Sequence, residues 1–183
     1  MIKNNKVYSA ILACVVVFGV SAGFSGSAFA QVACVAANVN NQVDPTPAVA
    51  GVTPINAGHI FCGNVNGNHN STGFHSRPGG GNPPTAVNVG AVVPVGAPAG
   101  IYRLTGITIT EANVAGNQKP LSTMYPDHCT QQNVLDAIRH AVANPTAAGI
   151  GPSGATCQTN AGNDFDIRFH VNGGTVVTAF PNY

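Results

Sequence analysis

The feature that most narrows the fold lies at the C-terminus. Phe165, Ile167, Phe169 and Val171 alternate with Asp166, Arg168 and His170, and Asn172-Gly173 then leads into residues 174–180. Period-two alternation ending in Asn-Gly specifies a β-hairpin, because that dipeptide accepts the left-handed backbone that a twisted two-residue turn needs. On the return strand the same period sets Val176, Thr178 and Phe180 on one face.

One segment supplies a helix. Thr130 stands as its cap, Val134, Ala137, Ile138, Ala141 and Val142 form an apolar stripe, and Pro145 stops it after Asn144. Upstream, Ile107 and Ile109 alternate with Thr108 and Thr110, which predicts a strand over residues 101–110. Residues 82–98 mix valines with Pro83, Pro84, Pro94 and Pro98 and support only short edge strands. Residues 58–81, crowded with Gly, Asn and His, read as turns and loop, and residues 149–163 as a Gly/Ser/Thr connection. The sum is an α+β domain: a small, mostly antiparallel sheet with one principal helix.

Residues 1–30 read as a secretory signal, with Lys3 and Lys6, an apolar run over residues 10–20 and the exit Ala28-Phe29-Ala30. The run is too short for a spanning helix, so the expectation is a secreted or periplasmic protein with no membrane attachment once the signal is removed. Residues 31–57 lack any period and read as a lead-in arm pinned by Cys34; residues 58–183 read as the functional domain. Residues 31–183 hold five Lys/Arg and six Asp/Glu, a formal charge of −1 with histidine neutral. That excludes a polybasic nucleic-acid stripe or membrane patch, both of which work by clustered cations. Charged residues are only 7% of the chain, so its solubility rests on Asn, Thr, Ser and Gly, while 44% hydrophobic content with so little net charge excludes disorder.

Cys34, Cys62, Cys129 and Cys157 remain outside the signal. An even count in an exported chain favours two disulfides; of the three connectivities, Cys34–Cys62 and Cys129–Cys157, which tie neighbours in sequence, are preferred. The spacing lacks the paired C-x-x-C knuckles of structural zinc. His59 and His75 each sit among glycines, which allow close approach of a ligand, and two imidazoles near neutrality suit paired acid–base chemistry. Against that stands the commonplace of exposed loop histidines in an Asn/Gly-rich chain. A metal site from His59, His69 and His75 has no nearby carboxylate and no compact ligand spacing, so no metal is expected there. Lys119, the only lysine after residue 30, suits a phosphate as a point charge, although alone it reads more simply as a solvated loop cation. Thr178 and Phe180 alone read as core-edge strand residues.

Their order along the chain says more. Gly58-His59-Ile60-Phe61-Cys62-Gly63, Gly73-Phe74-His75-Ser76-Arg77-Pro78-Gly79, Lys119-Pro120-Leu121-Ser122-Thr123-Met124-Tyr125-Pro126-Asp127-His128 and Thr178-Ala179-Phe180-Pro181 together resemble the bacterial EndoU ribonuclease family, from His59 to the C-terminus. The resemblance implies an EndoU/barnase-like toxin nuclease fold and an endoribonuclease, metal-independent or stimulated by manganese. Such an enzyme cuts single-stranded RNA beside uridine and leaves a 2′,3′-cyclic phosphate. It implies His59 and His75 as the catalytic histidines, with His75 the base and His59 the acid, and Lys119 as the catalytic lysine. Thr123 falls where the family keeps a base-contacting Ser/Thr, and Thr178 and Phe180 fall on its closing strand, whose aromatic ring packs on the nucleoside. Phe180 keeps the ring and lacks the tyrosine hydroxyl. Lys119 and the backbone N–H groups of the Gly73–His75 turn are the expected donors to phosphate oxygens. A requirement for the 2′-OH excludes DNA as substrate, and a toxin role implies a cognate immunity protein. The second reading is a non-catalytic exported binding or surface protein on an EndoU-like scaffold, favoured if His59, His75 and Lys119 stand more than about 10 Å apart.

Overall fold

The structure, a computed structural model, describes residues 32–34, 53–96 and 99–183. The signal reading and most of the lead-in arm lie outside the described residues. The elements run α1 (Ala57–Phe61), β1 (Asn64–Val65), β2 (Ser71–Thr72), a 3-10 turn (Pro78–Gly80), β3 (Ala86–Asn88), β4 (Val92–Pro94), β5 (Tyr102–Glu111), β6 (Val114–Ala115), β7 (Lys119–Met124), α2 (Gln131–Ala143), β8 (Ile150–Pro152), β9 (Asp166–Asn172) and β10 (Thr175–Pro181). The domain is α+β and every strand ladder is antiparallel.

Sheet formation divides where the sequence suggested a single sheet. β5 is the spine of one sheet, flanked by β3 and β4 and paired with β6 and β7; β8, β9 and β10 form a second, and β1 with β2 a two-stranded third. β5 can be a spine because its apolar residues all reach one core despite a slip in their period. Tyr102 and Leu104 precede Gly106 and Ile107 and Ile109 follow it, all four buried. Gly106 takes φ +60°, which admits the extra residue between the two pairs. β3 and β4 are three-residue strands at the flanks, and β4 ends on Pro94, a flank position that tolerates proline's missing N–H.

Thr130 caps α2 through a reciprocal capping box with Asn133, and Asn144 ends it ahead of Pro145. Its stripe of Val134, Leu135, Ala137, Ile138 and Ala141 is buried against Ile60, Phe61, Phe165, Ile167, Val176 and Ala179. Disulfides Cys34–Cys62 and Cys129–Cys157, each spanning 28 residues of chain, border this core. Phe74, Tyr102, Leu104, Ile107, Ile109 and Met124 make a second core under β5. Among the described residues no helix is long and apolar enough to cross a membrane.

Four local expectations change. His59 sits on a helix, in a stretch read as loop; Lys119 opens a strand rather than standing in a loop; and β8 occupies part of the residues 149–163 connection. The fourth concerns β10. Val176 pairs with Val171 and Thr178 with His170, so Val177 is an extra residue in a bulge. Val176 and Ala179 therefore face the core, while Thr178 and Phe180 turn to the opposite face instead of sharing one with Val176.

Candidate active site

The site lies where the two cores meet. Asn56 caps α1, its side-chain oxygen accepting the His59 N–H at 3.1 Å. This fixes His59, whose Nδ1 lies 2.6 Å from Asn64 Oδ1 on β1. Oδ1 is an amide oxygen and only accepts; Thr72 Oγ1 stands 3.0 Å from it and 3.2 Å from the Asn64 carbonyl oxygen. His59 Nδ1 must then be the donor, and Nε2 is the ring nitrogen left for a substrate.

The chain returns to His59 through a strained turn. Gly73 has φ +69°, and a Cβ there would lie 2.2 Å from the His59 carbonyl oxygen, so no side chain fits. Phe74, fully buried, holds φ +56°, a left-handed conformation that costs a bulky residue about 1–2 kcal/mol. It persists because the backbone around it is tied on both sides. Phe74 N–H donates to His59 O at 2.8 Å, His75 N–H to Ile60 O at 2.7 Å, and Tyr125 N–H to His75 O at 2.8 Å. The result sets the His59 and His75 ring centroids 6.1 Å apart. It also corrects an expectation: the amides of Phe74 and His75 are spent on α1, so they are not donors for a phosphate.

His75 is anchored as firmly. Its Nδ1 meets the Thr123 carbonyl at 3.0 Å and Ser122 Oγ at 3.1 Å. A carbonyl only accepts, and the Ser122 hydroxyl gives its one proton to Phe74 O at 2.7 Å, so Nδ1 carries the hydrogen. Neutral His75 is thus held with the Nε2 lone pair free. Lys119 Nζ donates to Gly73 O at 2.7 Å and to Ser122 Oγ at 2.9 Å, which leaves one of the three ammonium N–H donors uncommitted. Ser122 is the hub: one buried hydroxyl meets both the lysine and the imidazole.

Electrostatics separates the two histidines. Burial holds the His75 imidazole well below its ordinary value, reinforced by the charges of Lys119 and His59 and opposed, more weakly, by the hydrogen bond to the Thr123 carbonyl. Burial and Lys119 also lower His59, but its hydrogen bond to Asn64 works in the opposite direction and favours the charged ring. Lys119 itself is lowered by burial to about 8. At neutral pH the site therefore holds a neutral His75, a more readily protonated His59 and a cationic lysine.

The bulge in β10 completes one wall. Phe180 stacks on His75 with ring centroids 5.1 Å apart, and Thr178 shares its face two residues away. Thr123 is half-buried on β7, and its backbone carbonyl rather than its side chain makes the contact with His75. His69 stands apart, exposed in the turn between β1 and β2. Asn64 and Ser122 escaped sequence reasoning. An asparagine in an Asn-rich chain carries no signal, and Ser122 has no spacing relation to either histidine until β7 crosses the turn that carries His75.

Residues 55–183 match the family described as bacterial EndoU nuclease. No curated protein and no solved structure matches the chain. A family match across more than two-thirds of the sequence, spanning the anchored histidine pair, the lysine and the closing strand, establishes that this chain belongs to the bacterial EndoU nuclease family.

Proposed function

We propose that the protein is a secreted endoribonuclease that cuts single-stranded RNA beside uridine by 2′-OH transesterification, on an EndoU/barnase-like fold. The observation that carries this is the pair of imidazoles 6.1 Å apart, each tied through Nδ1 to a protein acceptor with Nε2 left to the substrate. Lys119 shares the Ser122 hydroxyl with His75, so all three groups fall within the roughly 10 Å that one phosphate site allows. That spacing favours catalysis over the alternative of a non-catalytic binding module.

The mechanism follows from the protonation states. His75, neutral and desolvated, takes the proton of the ribose 2′-OH on Nε2 as the oxygen attacks phosphorus. His59, kept chargeable by Asn64, gives its Nε2 proton to the departing 5′-oxygen, which leaves a 2′,3′-cyclic phosphate. Lys119 aims its remaining N–H at the non-bridging oxygens, where negative charge accumulates. Phe180 offers a ring face to the nucleoside, Thr178 a hydroxyl beside it, and Thr123 a further hydroxyl on the approach from β7. These residues provide base, acid and charge stabilisation, so the scheme needs no cofactor, and added manganese acts only as a stimulant. The two disulfides and the leader read from the sequence support export. RNA is scarce outside cells, so the target that fits an exported ribonuclease lies inside another cell, a toxin role that would call for a cognate immunity protein.

The test is product chemistry. Oxidised, folded protein is given a short RNA with a single uridine and its all-deoxy counterpart. Cleavage of the RNA beside uridine, leaving a cyclic phosphate, with the deoxy strand intact, is the expected outcome. Cleavage of both strands would refute a 2′-OH mechanism, and cleavage of neither, with or without manganese, would favour the binding module.

A further inference from the structure

The outer face of the β9–β10 hairpin carries more than the closing strand. Phe180 is paired with Arg168 and Thr178 with His170, and residues directly opposite in an antiparallel ladder share a face. Four side chains therefore form one patch, and its Phe180 corner rests on His75. β10 is the edge of its sheet, with β9 next and β8 beyond. Arg168 thus stands about one strand spacing, roughly 4.8 Å, further out than Phe180. Beside this patch is a concavity of about 480 Å³ lined by Gly149, Arg168, His170, Thr178 and Phe180 among others. That volume falls within the roughly 300–1,000 Å³ of small-molecule sites.

Arg168 is also differently employed from the other cations. Arg77 pairs with Asp127 at 3.5 Å and Arg139 with Asp136 at 2.6 Å. Arg103 lies over the Tyr183 ring at 4.9 Å and bonds its hydroxyl. Lys119 belongs to the histidine site. Arg168 is exposed, donates from Nε to Asn182 Oδ1 at 3.3 Å and has no ion-pair partner among the described residues. The one carboxylate on its strand face, Asp166, lies on the side away from His170 and pairs in register with Pro152 of β8. In a chain with so few cations, an unpaired guanidinium beside a nucleotide-sized hollow has one fitting partner, a phosphate.

We infer that the β9–β10 face is a second subsite, in which Arg168 binds the RNA phosphate adjacent to the one being cut while the flanking nucleotide occupies the hollow beside His170. The inference rests on the nuclease reading, since Phe180 joins the two sites. It makes the protein a reader of three-nucleotide segments, with one phosphate held by Lys119 and the next by Arg168. It also explains how a chain of formal charge −1 over residues 31–183 engages RNA: the contact is short and local.

The experiment is binding of short RNAs made uncleavable by 2′-O-methylation of the uridine, alongside cleavage of the unmethylated forms. The panel is a dinucleotide, which has only the scissile phosphate, and trinucleotides extended on either side of it. The full-length oxidised protein is compared with Arg168→Gln, Arg168→Lys and Arg103→Gln. Arg168→Gln weakens one of the two trinucleotides about tenfold, the scale of one charge-assisted contact, and the dinucleotide less than twofold. Its log–log salt slope for that trinucleotide falls by about 0.7, one phosphate's share on a single strand. Arg168→Lys recovers part of the affinity, and Arg103→Gln matches wild type. Equal losses on dinucleotide and trinucleotide, or no loss on either trinucleotide while wild type cleaves RNA, would overturn the subsite and leave the nuclease intact. Failure of wild type to bind or cleave any of these RNAs would overturn both.

Discussion

The core around α2 and the core under β5 are held together differently. Cys62, Cys129 and Cys157 are members of the first and Cys34 packs against it, so both disulfides clamp that core. The second, built from Phe74, Tyr102, Leu104, Ile107, Ile109 and Met124, has no cross-link and relies on close packing alone. The candidate site draws on both. His59 on α1 and Phe180 on β10 extend from the cross-linked core, whereas Lys119 and Ser122 ride on β7 beside the other. His75 bridges them: its predecessor Phe74 belongs to the β5 core, while its N–H is tied to Ile60 of the α2 core. His59 is thus positioned from the stapled half, Lys119 from the packed half, and His75 from both. The chemistry depends on the register between the two.

The most damaging change is expected at the joint. In Gly73→Ala the new Cβ collides with the His59 carbonyl at 2.2 Å from a backbone already at φ +69°. It should cost about 2–4 kcal/mol and separate the two histidines, which a thermal melt and a cleavage assay would read together. Next is Lys119→Met, which removes charge stabilisation and should lower kcat by about 10²–10³. It should also raise both histidine pKa values, visible by NMR titration, since Lys119 depresses each of them. Unmoved histidines would mean that the two halves are not electrostatically coupled.

A purely structural contrast follows. Replacing Cys129 and Cys157 together by alanine should cost about 3–4 kcal/mol through the α2 core, with near-normal activity in the protein that remains folded. Ile107→Ala, a comparable loss of about 2–5 kcal/mol from the β5 core, should reduce activity before the melt begins, because it loosens β7 at Lys119. Equal effects on activity would erase the distinction between the cores. The finest test is of His59 alone. Asn64→Ala removes the hydrogen bond that favours the charged ring, so the His59 pKa should fall further and the alkaline limb of the rate profile should move to lower pH, at a cost of a few-fold in rate at neutral pH.

The pH dependence of stability carries the same signature. His75 titrates below its ordinary 6.5 in the folded state, so between those two values the unfolded chain binds more protons. Its contribution is complete above pH 6.5 and is lost as pH falls through the folded value. His75→Gln should flatten the denaturation midpoint against pH over that window.

Much of this was legible in the sequence where one rule governed one element. The α2 stripe with its Thr130 cap and the Asn172-Gly173 hairpin follow from local chemistry. One departure comes from a residue inserted into a strand. The extra Val177 turns Thr178 and Phe180 away from the core, and no alternation count can register a bulge whose residue is itself apolar. Family resemblance named the residues of the candidate site, but their wiring could not be read. Ser122 gains its role only when β7 passes the Gly73–His75 turn, a contact between residues 47 apart. The amides of that turn looked like phosphate donors, and the fold spends those of Phe74 and His75 on α1.

The most direct measurement is single-turnover cleavage of a uridine-containing RNA by wild type, His75→Ala and His59→Ala, each with and without EDTA. Either substitution should lower the rate by about two to four orders of magnitude with the melting curve preserved, and EDTA should leave the wild-type rate unchanged. Near-full activity in folded His75→Ala would contradict this.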